Sequence, residues 1–367
     1  MRAAKFRPFI FFFFLLSLAV IGPIFPAAPG TGPPFIQIVD ASGQTVKLEK
    51  VPQRILVLGR SPYVVLHLLY MFPESKERLL GSEKKGKLAS DFLPLVDPGF
   101  KDKVFLESDP GPEEIAAHHP DLVLVKGMGV GLRRESLAKV GIPIVYLGLE
   151  TPEQFFKDVS NLGTILGNEQ RAKEISSFFK SRIEGVQKAV SRLRENEKPR
   201  VLLIMASDRG GTVGMQVPAT EWMQTIQVRS AGGTPIWLDV AQRTNGWTII
   251  NLEQIALWNP DQIYVVIWHT LEPQRVIDAL RKDSRWSALK AVRSNALYAF
   301  PSDIYGWDTP DPRWILGMTW LAARIHPALF KTLDMSEEVY RYFGELYGLE
   351  RKAVNVLLKP HLKMDIH

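Results

Sequence analysis

One segment of this chain occurs twice. Pro112-Glu-Glu-Ile-Ala-Ala-His-His-Pro-Asp-Leu-Val-Leu-Val aligns without a gap on Leu252-Glu-Gln-Ile-Ala-Leu-Trp-Asn-Pro-Asp-Gln-Ile-Tyr-Val. Glu113 meets Glu253, Ile115 meets Ile255, and Pro120-Asp121 meets Pro260-Asp261. In each copy the spacing predicts a short helix that ends at Pro-Asp and leads into a core strand. Two copies indicate a duplicated fold and not a solenoid, which needs at least three repeats. A length of 367 residues suits two such halves.

The surrounding pattern agrees. Ile36–Asp40 and Thr45–Leu48 flank Ala-Ser-Gly-Gln, which predicts a hairpin. Arg54-Ile-Leu-Val-Leu-Gly and Arg200-Val-Leu-Leu-Ile-Met are continuously apolar runs that read as buried parallel strands, one opening each half. Further strand-like runs occur at Leu122–Val125 and Ile142–Leu147. After the Arg54 run, Ser61 and Pro62 open an apolar helical stretch, Tyr63 to Phe72. Between the halves, Thr151 caps a helix with Pro152 at its first position, and Gly167 breaks it. Residues 168–195 then contain no proline, which predicts a helix about 40 Å long if it is continuous. Ser336-Glu-Glu-Val-Tyr-Arg-Tyr-Phe reads as a final helix capped by Ser336. The expected class is α/β, with two parallel-sheet lobes joined by one long spine helix and a ligand cleft between them. The expected divisions are 1–28, a signal peptide; 36–150, the N-terminal lobe; 151–197, the interlobe helices; 198–330, the C-terminal lobe; and 331–367, a helical tail.

The signal rests on order. A basic start, Met1 to Pro8, precedes the apolar run Phe9 to Phe25, and small residues follow at Ala27, Ala28 and Gly30. Arg2, Lys5 and Arg7 also carry much of the net charge of +6, so the remainder is nearly balanced. No basic stripe with interleaved aromatics points to nucleic acid. The absence of cysteine excludes disulfides, thiolate metal sites, a cysteine nucleophile and a lipidated cysteine. The chain carries no G-x-S-x-G, P-loop or H-E-x-x-H motif.

Taken in order, VDASGQTVKLEKVPQRILVLG, PEEIAAHHPDLVLV, the long helix, LEQIALWNPDQIYVV and VRSNALYAFPSD resemble the periplasmic substrate-binding proteins of the iron–siderophore, haem and cobalamin ABC importers, over residues 36–330. The resemblance implies capture of an iron–siderophore-type chelate and delivery to a permease in the cytoplasmic membrane. It also implies a carboxylate on each half, Glu113 and Glu253, docking on permease arginines. The alternative reading of both is that a Glu near a helix start favours the helix dipole. Alternative cargoes are haem or cobalamin, and molybdate or tungstate. A chelatase-like metal-handling enzyme is the alternative from another class. Two features depart from the family: the missing lipoprotein cysteine, which favours a soluble periplasmic protein, and the tail beyond 330. A monomer without a resident cofactor is expected, the metal arriving as cargo.

Ligand-binding candidates lie on loops after strands. They are Arg60, Ser61, Tyr63 and Lys126 in the first half, and Arg209, Trp222, Trp247, His269, Tyr305, Trp307 and Asp308 in the second. Lys84, Lys85 and Lys87, Gly127 and Gly129, Gly210 and Gly211, Gln224, Trp268 and Arg313 stand beside them. Arg and Lys neutralise anionic chelates, and Tyr and Trp offer flat faces with a polar handle. Trp258 and Trp320 read as core. His118 and His119 are sequence neighbours, a poor geometry for a metal pair, and read as capping or surface residues. Asp303, Asp308 and Asp311 could hold a metal through oxygen, but Pro310 and Pro312 suggest a turn where Asp serves the backbone.

Overall fold

In the computed structural model, which describes residues 35–59, 61–84, 92–127, 131–209, 212–241, 246–267, 271–357 and 362, two sheets flank a pair of long helices. The expected leader 1–28, Arg60, Lys85, Lys87, Gly129, Gly210, Gly211, Trp268 and His269 lie outside the described residues.

Strands β1 (Ile36–Val39) and β2 (Thr45–Leu48) form the antiparallel hairpin. Five strands make the first sheet: β3 (Ile55–Leu58), β4 (Leu79–Glu83), β5 (Val104–Leu106), β6 (Leu122–Lys126) and β7 (Ile144–Leu147). All its pairings are parallel, in the order β5-β4-β3-β6-β7. The second sheet contains β8 (Arg200–Arg209), β9 (Thr212–Val217), β10 (Thr234–Pro235), β11 (Thr248–Ile250), β12 (Gln262–Ile267) and β13 (Leu297–Ala299). Its order is β11-β9-β8-β12-β13, with β10 beside β8. Here β8, β12, β13 and β10 are parallel, while β9 doubles back on β8 and pairs antiparallel with β11.

The principal helices are α1 (Pro62–Leu69), α2 (Pro112–Ala117), α3 (Pro152–Leu166), α4 (Glu169–Val190), α5 (Met223–Ser230), α6 (Leu252–Trp258), α7 (Trp314–Ile325), α8 (Met335–Tyr347) and α9 (Arg351–Leu357). Thr151 caps α3 by accepting the Gln154 N–H at 3.3 Å, and Gly167 ends it at φ +71°, where a side chain would be strained. Asn168 then caps α4, which runs 22 residues, about 33 Å. It is shorter than the proline-free stretch because the chain turns after Val190. Helix α7 is buried on every side, packed against α4 and α5, as suits a helix apolar all round. Among the described residues, no helix is long and apolar enough to cross a membrane.

The duplicated segment has a common local design. Asp121 accepts the backbone N–H groups of Gln53 (2.8 Å) and Arg54 (2.9 Å), just before β3. Asp261 accepts that of Arg200 (2.8 Å), at the start of β8. In return Arg54 donates to the carbonyls of His118 and His119, and Arg200 to that of Trp258, which satisfies the open ends of α2 and α6. His119 (φ +48°) and Asn259 (φ +45°) hold the same left-handed position in the two copies. The role of His118-His119 is therefore helix termination.

Tail helix α8 is capped by Asp334, which accepts the Glu337 N–H at 3.1 Å, and not by Ser336 as the sequence suggested. Asp334 with Glu337 three residues on is the better capping pair, since Ser336 has Val339 at that distance. The helix buries Met335, Val339, Tyr342, Phe343 and Leu346, one stripe at helical spacing.

Candidate functional site

In each sheet the chain leaves the central pair of strands toward opposite edges. The carboxyl ends of β3 and β6, and of β8 and β12, are therefore switch points, where a crevice forms.

At the first switch point Gly59 follows β3 at φ +104°, and a Cβ there would lie 2.9 Å from Val125 Cγ1. Its N–H donates to Glu83 Oε2 at 2.6 Å, while Glu83 Oε1 accepts the Asp109 N–H at 2.8 Å. Glu83 is 2% exposed, so a buried carboxylate joins the loops after β3, β4 and β5. Nothing in the sequence marked it. Ser61 stands at the N-cap of α1 without a side-chain cap bond, and Pro62 takes the first turn. Tyr63 is half-buried on that helix. The Lys126 ammonium at the end of β6 is paired with Glu150, and Lys84 is paired with Glu107 at 2.6 Å.

In the second half, Trp222 and Trp247 are half-buried and meet edge to face, ring centroids 5.8 Å apart. Gln224, the second residue of α5, donates to Asp308 at 3.1 Å. The backbone of Arg209 ends β8. Two expected ligand contacts need correction. Trp307 is fully buried and its indole N–H goes to Asp303 at 3.2 Å, so it packs within the fold. Asp308 is 3% exposed and faces Gln224. Burial, opposed by that hydrogen bond, pushes its carboxyl up to about 6.

The two halves meet at a tyrosine pair. Tyr305 Oη donates to Tyr63 Oη at 2.6 Å, with ring centroids 4.8 Å apart. Burial, with Tyr63 alongside, pushes the Tyr305 phenol up. Directly behind the pair lies a charged layer that is wholly buried. His67, one turn along α1 from Tyr63, bonds through Nδ1 to Asp311 Oδ2. Arg313 places Nη1 2.9 Å from Asp311 Oδ1 and Nε 2.8 Å from Asp303 Oδ1. Asp303 Oδ1 also accepts the Tyr305 N–H at 3.0 Å. With a carboxylate on Nδ1, that nitrogen carries the proton, so Arg313 Nη1 at 3.1 Å is a contact rather than a donor to it. Burial works against an ionised Asp311, but His67 and Arg313 overcome it and hold the carboxyl down to about 2. His67 Nε2 and Arg313 Nη2 have no hydrogen-bond partner among the described residues.

Asp303 and Asp311 are thus committed to Arg313, and among the described residues no three His, Asp or Glu side chains are placed to hold a metal ion. Arg313 proves to be a buried strut at 0% exposure and not a cleft cation. His67 was hidden in the sequence as one polar residue in an apolar helical run. Glu113 and Glu253 are exposed in the first turns of α2 and α6, on corresponding faces of the two halves.

A sequence model described as periplasmic binding protein matches residues 102–304, more than half of the chain. Comparison with curated protein sequences finds no match. Among solved structures, a periplasmic solute binding protein from Veillonella parvula is 22% identical, with a TM-score of 0.71 over 89% of this chain and 97% of that one. The TroA-like periplasmic binding protein FepB from Veillonella parvula is 20% identical, with a TM-score of 0.69 over 84% and 95%. The molybdate periplasmic binding protein MolA from Haemophilus influenzae is 17% identical, with a TM-score of 0.66 over 86% and 98%. At these identities the likenesses show the shared fold.

Proposed function

The chain belongs to the periplasmic binding protein family, and from that premise we propose that it is the substrate-binding component of an ABC importer, which captures an iron–siderophore-type chelate in the periplasm. The observation that carries the reading is the Tyr63–Tyr305 bond, which joins the helix after β3 of one sheet to the segment after β13 of the other, a junction of the kind where such folds take a ligand. Half-buried Tyr63, Tyr305, Trp222 and Trp247 offer aromatic faces to an organic chelator. The sequence adds Arg60, Arg209 and His269 as cationic and metal-seeking candidates. Lys126 is a weaker candidate, because Glu150 neutralises it. The protein works as a monomer without a resident cofactor or catalytic step, and the metal arrives within the cargo.

A second reading is oxyanion capture, because MolA, a structural neighbour, is described with molybdate bound. The aromatic faces favour the chelate. The test is a thermal-shift panel on the chain lacking residues 1–28, with ferric catecholates, ferric hydroxamates, ferric citrate, haem, cobalamin, molybdate and tungstate. A ligand at about 100 times its Kd stabilises the fold by about 2.7 kcal/mol. A shift with ferric chelates is expected. A shift with oxyanions alone replaces the cargo, and no shift with any member removes the support for metal import.

A further inference from the structure

Tail helix α8 touches three separate parts of the molecule at the junction between the halves. On the side of the first sheet, Tyr347 Oη donates to the His67 carbonyl at 3.0 Å, and the rings of Phe343 and Tyr347 lie 5.3 and 4.7 Å from that of Phe92. On the interlobe helix α4, Arg182 pairs with Glu338 at 2.8 Å, and Phe178 meets Tyr342 at 6.1 Å. On the side of the second sheet, the Arg313 guanidinium lies 5.6 Å from the Phe343 ring and 5.1 Å from that of Phe92. Arg171 of α4 repeats the pattern by itself. Its Nε donates to the Met71 carbonyl (2.8 Å), and its Nη2 to the carbonyls of Glu345 (2.9 Å) and Leu346 (2.8 Å).

The charged layer beneath the tyrosine pair also spans the junction, since His67 belongs to α1 and Asp303, Asp311 and Arg313 to the segment after β13. An ion pair of this kind is strong only while water is kept away. Phe92, Phe343 and Tyr347 lie against it. Its members in turn position the pair: Tyr63 stands one turn from His67, and Tyr305 is held through its N–H by Asp303.

We propose that α8 is a clasp that closes the junction from behind, keeping the His67–Asp311–Arg313–Asp303 layer dry and restricting how far the halves part at Tyr63 and Tyr305. Without it, α4 and the contacts across the junction itself would set the range of opening. The inference concerns the motion of the halves and does not depend on which cargo, if any, is carried.

The chain contains no cysteine, so two can be introduced and labelled selectively. Lys139→Cys, on the first half, and Lys282→Cys, on the second, replace exposed residues at helix ends. Double electron–electron resonance between nitroxides at these sites reads the distance between halves without ligand. The otherwise unaltered protein is expected to give one narrow distribution. Phe343→Ala with Tyr347→Ala is expected to broaden it and add a longer-distance population of roughly a tenth or more. Tyr347→Phe, which keeps the ring, is expected to remain narrow. Arg171→Gln, which unties α8 from Met71 and leaves every ring in place, is the second variant should the double alanine variant fail to fold. It too is expected to broaden the distribution. A wild-type distribution in either variant, folded by circular dichroism, would overturn the proposal.

Discussion

Asp308 and Asp311 stand three residues apart, and burial opposes the ionised form of both, yet their carboxyls sit at about 6 and about 2. The difference lies in their neighbours: a neutral amide, Gln224, beside the first, and His67 with Arg313 beside the second. For Asp308 the folded-state value lies above the ordinary 3.8. The folded chain therefore holds the proton more tightly, and the stability this contributes is full below about pH 4 and lost as pH rises through about 6. Asp308→Asn keeps an acceptor for Gln224 and removes the buried charge. It is expected to exceed the wild type in stability by about 2 kcal/mol at pH 8, with the gap mostly gone by pH 4. Urea unfolding at both pH values checks this, and a gap independent of pH would rule it out. Asp311 works in the opposite sense: its contribution is present above about pH 4 and is lost as pH falls through about 2.

At the scale of elements, the repeated unit is a helix, a left-handed residue, Pro-Asp and a core strand, closed by an Arg at the head of a neighbouring strand. Removal of the Asp leaves N–H groups unpaired at the start of β3 or β8. Asp121→Ala is expected to cost about 1–3 kcal/mol in urea unfolding, and no loss would show that water replaces the carboxylate. Elements of this kind are legible in the amino-acid order itself. The hairpin, β3, β6, the Thr151 cap, the Gly167 stop and both copies of the repeat follow from local spacing and chemistry, which a sequence displays directly. Contacts between distant positions are not displayed in this way. Tyr63 and Tyr305 are each readable as loop aromatics, but their hydrogen bond spans 242 positions. His67, Glu83 and Arg313 take their roles from partners in other elements, so Arg313 reads as an exposed cation and Glu83 does not register. The antiparallel β9 and β11 escape notice for a different reason: β9 is interrupted by Gly214 and Gln216, and β11 is three residues long with Ile249 exposed, so neither presents a continuous apolar run.

At the scale of the whole molecule, duplication places Glu113 and Glu253 on equivalent exposed turns of two similar halves. A permease with two-fold symmetry would meet a carboxylate from each. Reversal of both, Glu113→Lys with Glu253→Lys, is expected to abolish uptake in cells while the purified protein keeps its affinity for cargo. Unchanged uptake would assign both residues to their helix starts alone.

The bond from Tyr347 to the His67 carbonyl joins positions 280 residues apart, and this separation orders events in time. Local helices and hairpins can form as the chain emerges, but long-range closures come late. The ring of Phe92 stays uncovered until Phe343 and Tyr347 of α8 arrive. Closure of the junction is therefore delayed until α8 has been made. A chain ending before Met335 would display the rings of Phe92 and Phe178 without their cover, an adhesive surface by which a truncated product would betray itself.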